Sequence, residues 1–260
     1  MTVPNDATSA DATEPRAKKP TNPWIALWFV VLALAVVAST TLAVVALRNR
    51  SASGSTNQQI RVTGLPASIS TSTANLMGLS PIKTRPAPGF TLTDQKGHTL
   101  SLASLKGKAV VLEFMDPHCT DICPLVSKEF IDANKDLGAS ASKVAFVAVN
   151  VNQYYPSVAS MMKFSREHNL VSIPSWHFFT GPTAALRTVW NNYGIEVSAP
   201  NPNADIIHTS LLYFIDPQGN ERFIASPVVD HTKKGKSFLP ANQLAAWGRG
   251  IAQVAKATLG

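Results

Sequence analysis

The sequence predicts an α/β domain with a mixed central sheet flanked by helices, preceded by one transmembrane helix. Three observations support this prediction. From Pro86 onward, apolar runs of strand length alternate with segments of helical apolar spacing, which is typical of strands joined by helices. A β-hairpin and a closing helix follow near the carboxyl end. An uncharged apolar run, Trp24–Leu47, precedes the whole domain.

The charge of the chain lies mostly outside the predicted domain. The 260 residues carry a net charge of +7, and the first 85 residues contribute 8 Lys and Arg against 3 Asp and Glu. A nucleic-acid-binding domain should carry a basic face. From Pro86 onward the one basic cluster is KKGK, Lys233–Lys236, which we interpret as a solvated loop. We therefore exclude nucleic acid as a partner.

The run Trp24–Leu47 is predicted to be a membrane anchor that follows a short tail, residues 1–23. As a helix it would span about 36 Å, which exceeds the roughly 30 Å of a bilayer core. Trp24 and Trp28 lie at one end, where aromatic rings favour the membrane interface. Leu47-Arg48-Asn49 is a poor cleavage site, so a retained anchor is favoured over a cleaved signal peptide. Equal numbers of flanking basic residues leave the orientation open.

Residues 48–85 are rich in Ser, Thr, Asn, Gly and Pro, with little apolar periodicity. This composition predicts a flexible linker that buries no core. Irregular structure packed on the domain is the alternative. The folded domain itself is predicted over residues 86–260.

The first half of the domain predicts short strands, a buried strand and a helix. Phe90–Leu92 and Leu100–Leu102 are short strands around a turn at Gln95–His98. Ala109–Met115 is almost continuously apolar, as strands buried in parallel sheets are. A helix should begin near Cys123-Pro124, because proline is favoured in the first helical turn.

The second half continues the alternation of strand and helix. The predicted elements are a strand at Val144–Val149, a helix over Pro156–His168, a strand at Trp176–Phe179, a helix from Pro182 to about Tyr193, a hairpin within residues 210–226 and a helix over Pro240–Ala257. The hairpin turn, Asp216–Gly219, has Pro and Gly at the positions that a β-turn favours. This order, with an insertion before the hairpin, is that of a thioredoxin-like fold.

Both cysteines of the chain lie in the stretch FMDPHCTDICP, residues 114–124. Cys119 falls in the loop after a central strand, where open α/β sheets bind ligands. Cys123 falls at a helix amino terminus, whose partial positive charge stabilises a thiolate. Such a pair can form a disulfide or share a soft metal ion such as Cu(I). Two buried structural thiols, or a zinc site that needs four ligands, are the alternatives that we consider weaker.

A third ligand for such a metal would come from one of six histidines. His98, His168, His177 and His231 are predicted to lie at the surface or in packing positions. His118 is adjacent to Cys119, so its side chain is expected to point away from a site that the two sulfurs share. His208 differs, because it directly precedes the hairpin strand TSLLYF. In thioredoxin-like folds the loop entering that strand passes over the active cysteines, and a proline is common there. His208 is therefore a candidate ligand, and the alternative is that it tunes the charge of the thiolates.

The motifs HCTDICP and HTSLLYFIDPQG together resemble those of the SCO/SenC family, which are membrane-anchored copper proteins of cytochrome c oxidase assembly. The resemblance covers roughly residues 86–239 and includes GFTLTDQKGHTLSLASLKGKAVVLEF and FFTG. It implies that Cys119 and Cys123 are the copper-binding, redox-active pair and that His208 is the third copper ligand. It also implies a domain on the periplasmic or extracytoplasmic side of the cytoplasmic membrane.

The resemblance further implies a metallochaperone that delivers copper to, or reduces the cysteines of, the dicopper site of a terminal cytochrome c oxidase. The expected partners are the copper-bearing oxidase subunit, other copper chaperones and thioredoxin-like reductants. Two features depart from the family: Thr120 replaces a common proline, and NVNQYYPS, residues 150–157, replaces a common acidic segment.

Two enzymatic functions compete with this interpretation. One is a general thiol–disulfide oxidoreductase at the outer face of the membrane. The other is a peroxiredoxin-like peroxidase, because the opening strands also occur in that group. A peroxidatic cysteine would need Thr and Arg residues of its own, and we find no such pair before Cys119.

Overall fold

The structure, a computed structural model, describes residues 63–260. The strands are β1 (Ser80–Pro86), β2 (Thr91–Thr93), β3 (Thr99–Ser101), β4 (Ala109–Met115), β5 (Val144–Asn150), β6 (Trp176–Phe179), β7 (Val197–Ser198), β8 (Ile207–His208), β9 (Leu212–Ile215), β10 (Asn220–Ala225), β11 (Asp230–His231) and β12 (Ser237–Phe238). The α-helices are α1 (Thr71–Leu76), α2 (Ile122–Leu137), α3 (Val158–Glu167), α4 (Thr183–Asn192) and α5 (Ala241–Thr258).

Six strands form one mixed sheet in the order β1-β10-β9-β4-β5-β6. Strands β4, β5 and β6 run parallel, and β9, β10 and β1 extend the sheet by antiparallel pairing. All residues of β4 and β5 are buried. Their almost continuous apolar sequence follows from this position, because helices cover both faces.

Helices pack on both faces of this sheet, as predicted for a thioredoxin-like fold. On one face, Phe130 of α2 and Trp247 of α5 are fully buried with apolar residues of α1 and α3. On the other face, Trp190 of α4 packs with residues of β2 and β9. Gly248 lets α5 approach α2 closely, since a Cβ there would lie 2.7 Å from the Cβ of Asp132.

The outer edge of β6 is covered by the end of β2 and by the residues that follow it. Thr93 and Thr180 exchange two backbone hydrogen bonds of 2.9 and 2.8 Å. The side-chain amide of Gln95 donates to the carbonyl of Trp176 at 2.9 Å and accepts the N–H of Phe178 at 2.8 Å. The backbone groups along this edge are therefore satisfied by the side chain of a buried glutamine.

Several predicted elements are found at or near their predicted bounds. Ala109–Met115 and Trp176–Phe179 agree at both ends, and the helix after the cysteines begins one residue earlier, at Ile122. The hairpin turn is closed by the N–H of Gly219, which donates to the carbonyl of Asp216 at 2.8 Å. Gly219 has a φ of 89°, a conformation that favours glycine.

The prediction of a flexible linker over residues 48–85 is wrong from residue 63 onward. Helix α1 and strand β1 occupy this part of the chain, and Met77 and Leu79 are buried in the core. Strand β1 lies at the edge of the sheet and is mostly exposed. Edge strands tolerate proline and charged residues, so β1 lacks the apolar alternation that would have indicated a strand. The folded domain therefore includes residues 63–85.

The predicted anchor, Trp24–Leu47, and the tail before it lie outside the described residues. Within residues 63–260, none of the helices combines the length and the apolar content needed to cross a bilayer. The anchor stays a prediction.

Candidate metal and redox site

The two cysteines lie where β4 ends and α2 begins, as predicted. Residues 116–121 form the loop between these elements. Asp116 organises the loop, because its carboxylate accepts the N–H of His118 at 2.8 Å and its carbonyl accepts the N–H of Cys119 at 3.1 Å. This kind of local bonding by an Asp side chain fixes turns. It holds Cys119 beside the amino end of α2.

The thiols of Cys119 and Cys123 differ in environment. Both are reduced; Cys119 is partly exposed, whereas Cys123 is 3% exposed. A hydrogen bond from the Cys123 side chain, together with the N–H groups of Cys123 and Asp121, outweighs burial and lowers the pKa of Cys119 to about 6. The same hydrogen bond, reinforced by burial, raises the pKa of Cys123 well above its usual value. At neutral pH, Cys119 is therefore a thiolate and Cys123 a thiol.

His208 lies in the short strand β8, which pairs with β7 through Val197. Its Nδ1 lies 3.0 Å from the carbonyl oxygen of Thr209. Because a carbonyl oxygen can only accept, Nδ1 carries the proton and Nε2 keeps its lone pair. Burial lowers the pKa of His208, which favours the neutral imidazole that a metal ion requires.

A cavity of about 640 Å³ brings Cys119 and His208 to one place. Its lining residues are Asp116, His118, Cys119, Thr120, Asp121, Ile122, Asn152, Tyr155, Pro202, Asn203, Ala204, Asp205, Ile206, His208 and Lys236. Cys123 does not line the cavity, but it is hydrogen-bonded to Cys119, which does. In residues 63–260, no group of three or more His, Cys, Asp or Glu side chains is arranged to hold a metal ion. The structure thus brings Cys119 and His208 to one cavity, with Cys123 buried behind Cys119, and does not arrange the three as a closed ligand set.

The other histidines lie largely in the positions that the sequence suggests. His177 is hydrogen-bonded through Nδ1 to Asp94 at 3.2 Å, His168 packs on Phe164 with 4.3 Å between ring centroids, and His98 and His231 are exposed. His118 is different.

His118, which was expected to point away from the sulfurs, lines the cavity together with Cys119. Its ring stacks on Tyr155 with 3.7 Å between centroids and 20° between planes. Sequence reasoning missed this contact, because Tyr155 belongs to a loop that follows a different strand.

The segment NVNQYYPS, residues 150–157, stands where the SCO/SenC family commonly has an acidic segment. It forms one wall of the cavity through Asn152 and Tyr155. The side-chain amide of Asn152 donates to the carboxylate of Asp116 at 2.9 Å. The amide of Asn150 donates to the carbonyls of Asn152 and Tyr155. This wall therefore holds the cysteine loop through Asp116. The sequence signal that could have indicated this contact is that parallel strands joined by a helix end at the same edge of a sheet.

A third contact joins the cysteine loop to the β11–β12 ribbon, residues 230–238. The N–H of Ser237 donates to Oδ1 of Asp121 at 3.0 Å, and Lys236 lines the cavity. The lysines of KKGK are exposed, as predicted. Their position beside the cysteines was not predicted.

A buried pair of carboxyl groups lies on the same face of the sheet as Cys123. Glu113 of β4 is 1% exposed and Glu129 of α2 is 3% exposed. Burial raises the pKa of Glu129 to about 8 and that of Glu113 well above its usual value. Ser210 donates to Glu113 Oε1 at 3.4 Å, and within the described residues Glu113 Oε2 has no hydrogen-bond partner. The sequence signal was a charged residue inside an apolar strand.

The sequence matches the family model described as SCO1/SenC over residues 82–233, more than half of the 260 residues. The SCO1 protein homolog of Bacillus subtilis (strain 168) is 28% identical over 132 residues, which cover 50% of this chain and 68% of that protein. Peroxiredoxin bcp of Coxiella burnetii is 32% identical over 111 residues, which cover 43% of this chain and 65% of that protein. The chain spans about half the length of the mammalian mitochondrial relatives that it matches.

The fold is similar to that of Bradyrhizobium japonicum ScoI, solved with copper bound. The TM-score is 0.51 at 24% sequence identity, and the match covers 67% of this chain and 100% of that chain. The likeness supports the thioredoxin-like arrangement of the sheet and helices. The family match includes Cys119, Cys123 and His208. Since that match covers most of the folded domain, the chain belongs to the SCO1/SenC family.

Proposed function

We propose that this protein binds Cu(I) through Cys119, Cys123 and His208 and delivers copper to, or reduces the cysteines of, the dicopper site of a terminal cytochrome c oxidase. One observation carries the proposal: a thiolate, Cys119, in hydrogen-bonding contact with a second thiol, lines the same cavity as His208. Soft thiolate and imidazole ligands suit Cu(I). Copper in the related Bradyrhizobium japonicum structure supports the choice of metal, and family membership supports the oxidase as client.

The chemistry of the donors fits copper as the cargo. Cys119 is already deprotonated at neutral pH, and the hydrogen bond from His208 Nδ1 to Thr209 leaves Nε2 available as a donor. Cys123 would release its proton on binding, so that affinity rises with pH. Oxidation of the two thiols to a disulfide would remove both sulfur donors. The redox state of the pair is thus the natural switch between holding and releasing the metal.

We further propose that Trp24–Leu47 tethers the domain to the cytoplasmic membrane, with the domain on the periplasmic or extracytoplasmic side. The support is the uncharged apolar run, which is long enough to span a bilayer, and the membrane anchoring that the family resemblance implies. On that side of the membrane the partners would be the copper-bearing oxidase subunit, other copper chaperones and thioredoxin-like reductants.

A general thiol–disulfide oxidoreductase is the second candidate function. The observation that favours it is the inequality of the thiols, since a low-pKa, partly exposed cysteine beside a buried one is suited to disulfide exchange. The match to a peroxiredoxin keeps peroxidase activity as a further rival. Measurement of peroxide consumption by the reduced protein tests that rival directly.

Cu(I) affinity of the reduced protein, measured by competition with a chromophoric Cu(I) chelator, tests the proposal. We expect His208→Ala to weaken binding by at least about tenfold, while the Cys119–Cys123 disulfide still forms and is reduced. His118→Ala is the matched control, because it removes another imidazole from the same cavity and should have a much smaller effect. Failure of the reduced wild-type protein to retain copper would favour the oxidoreductase. Loss of copper in His118→Ala but not in His208→Ala would show that the third ligand is wrong.

A further inference from the structure

The β11–β12 ribbon is held in a defined position beside the cysteines. Its Ser237 N–H donates to the carboxylate of Asp121 at 3.0 Å, and Asp121 directly precedes α2. The ribbon turn is closed by Thr232, whose N–H donates to Lys236 O at 2.9 Å and whose hydroxyl oxygen accepts the N–H of Lys236 at 3.1 Å. The N–H of Gly235 also donates to the carbonyl of Thr232 at 2.8 Å. A basic segment with these bonds has a fixed orientation relative to the cavity.

The ribbon carries three lysines, and one of them, Lys236, lines the cavity. Lys233, Lys234 and Lys236 are exposed. None of these lysines forms an ion pair with a carboxylate of residues 63–260. Residues 63–260 have 17 Lys and Arg against 13 Asp and Glu, a net charge of +4, of which these three lysines supply three charges. The ribbon therefore supplies most of the net positive charge of the described domain and places one of these charges, that of Lys236, at the cavity.

Exposed apolar side chains accompany these lysines. Among the described residues the large exposed apolar side chains are Val171, Ile207, Val228 and Phe238. Ile207 adjoins His208, Phe238 ends the ribbon, and Val228 lies just before it. Val171 precedes β6 and so lies toward the opposite end of the parallel strands. Apolar contacts combined with a charged rim are the composition of protein interfaces.

We propose that the β11–β12 ribbon is a docking element that recognises an acidic protein surface surrounding the partner's pair of cysteines. The inference rests on the proposed function, because it requires a protein that approaches Cys119 with thiols of its own. Ile207 and Phe238 would contact the partner beside the cavity, and the three lysines would select partners by charge. Electrostatic selection of this kind acts mainly on the rate of association.

Three carboxylates of the cavity oppose this selection. Asp116 is 7% exposed and accepts hydrogen bonds from the backbone of His118 and the side chain of Asn152. Asp121 accepts the hydrogen bond from Ser237. These donors reduce the field of the two carboxylates, which leaves Asp205 as the exposed acid without such a bond among the described residues. The three exposed lysines of the ribbon, of which Lys236 lines the cavity, outweigh its single charge.

Disulfide exchange with charged peptides tests the proposal. The full-length protein in detergent, with Cys119 and Cys123 joined as a disulfide, is mixed with either of two reduced peptides that share a Cys-x-x-x-Cys core flanked by Glu or by Lys. Two peptide thiols become a disulfide while the protein disulfide becomes two thiols, so electrons and protons balance. We expect the Glu peptide to react about tenfold faster than the Lys peptide at low salt. The difference should vanish near ~0.5 M salt.

Two triple variants with the same change in net charge separate the ribbon from general electrostatics. Lys233→Gln, Lys234→Gln and Lys236→Gln together should bring the ratio of the two rates to about one. The control variant removes exposed lysines near the opposite end of the sheet: Lys106, Lys135 and Lys143. This control variant should still react several-fold faster with the Glu peptide than with the Lys peptide. An equal fall in both variants, or a faster reaction of the Lys peptide with the wild type, would overturn the proposal.

The test of the ribbon and the test of the proposed function can fail independently of each other. If the reduced wild-type protein retains copper but reacts equally fast with the Glu and Lys peptides, the ribbon is not a docking element and the proposed copper site still stands. If the reduced wild-type protein does not bind copper but still reacts faster with the Glu peptide, copper delivery is rejected and docking for disulfide exchange alone is supported.

Discussion

The backbone N–H of Cys123 lies 3.4 Å from the Sγ of Cys119 and donates a hydrogen bond to it. The contact exists because Cys123 sits in the first turn of α2, where backbone N–H groups have no partner within the helix. It stabilises negative charge on Cys119, the thiol that is partly exposed, while Cys123 stays buried and protonated. Cys119 is therefore the sulfur that reacts first with a partner.

Alkylation of the reduced protein should modify Cys119 and leave Cys123 unmodified. The rate should rise with pH through a midpoint of about 6, because only the thiolate is nucleophilic. Mass spectrometry of iodoacetamide-treated samples across this range measures both the site and the midpoint. Cys123→Ala should move the midpoint upward, since Cys119 loses its strongest hydrogen-bond donor. Equal modification of the two cysteines in the wild type would contradict this prediction.

Mild oxidation should join Cys119 and Cys123 in one intramolecular disulfide and abolish Cu(I) binding. The two residues are already in contact, and both sulfur donors are consumed by the bond. Peptide mass mapping and copper analysis of the same oxidised sample provide the measurement. In Cys123→Ser, oxidation should give only dimers linked through Cys119. If both wild-type cysteines stay reduced under mild oxidant, they are structural thiols.

Glu129→Gln should stabilise the protein at high pH and have little effect at low pH. The pKa of Glu129 is raised by burial from 4.5 to about 8, so its contribution to stability is complete below pH 4.5 and is lost as the pH rises to about 8. At pH ~8 we expect the free energy of unfolding of Glu129→Gln to exceed that of the wild type by on the order of 3 kcal/mol.

Urea unfolding at about pH 4 and about pH 8 measures the effect of Glu129→Gln. Glu167→Gln is the control, because Glu167 lies in an exposed ion pair with Lys163, and it should change stability little at either pH. An equal effect of Glu129→Gln at both pH values would mean that folding does not raise the pKa of Glu129.

A chain that begins at residue 63 should fold, whereas one that begins at residue 87 should be destabilised or aggregate. The shorter chain lacks α1 and β1 and leaves the sites of Met77 and Leu79 empty, and burial of such side chains contributes about 1.5–3 kcal/mol each. Urea unfolding compares the two chains. Met77→Ala in the longer chain isolates one contact and should cost about 2–5 kcal/mol. Equal stability of both chains would show that residues 63–86 add nothing to the core.

Much of the fold was predictable because its strongest determinants are local. The strands β4 and β5 are buried on both faces, so their apolar runs stand out in the sequence. The position of the cysteines followed from the order of strand and helix alone. Residues 63–85 were wrongly predicted to be linker for the converse reason. Strand β1 is an exposed edge strand, and the buried residues around it are too few to show apolar periodicity.

The surroundings of the cysteines were less predictable because they depend on contacts between loops. Asn152 bonds to Asp116, and Ser237 bonds to Asp121, yet no periodicity marks any of the four as partners. His208 was predicted to be a ligand from its position before the hairpin strand. The orientation of its imidazole depends on a backbone carbonyl, which the sequence does not reveal.

The glutamine at the outer edge of β6 has a consequence for behaviour at high concentration. Unpaired edges of apolar strands such as Trp176–Phe179 are templates for strand addition between molecules, which leads to aggregates. The amide of Gln95 carries a donor and an acceptor in the same arrangement as a peptide group, and it engages both backbone groups that a second chain would need. One buried side chain thus blocks the addition of a second chain at this edge of the sheet, next to its most apolar strands.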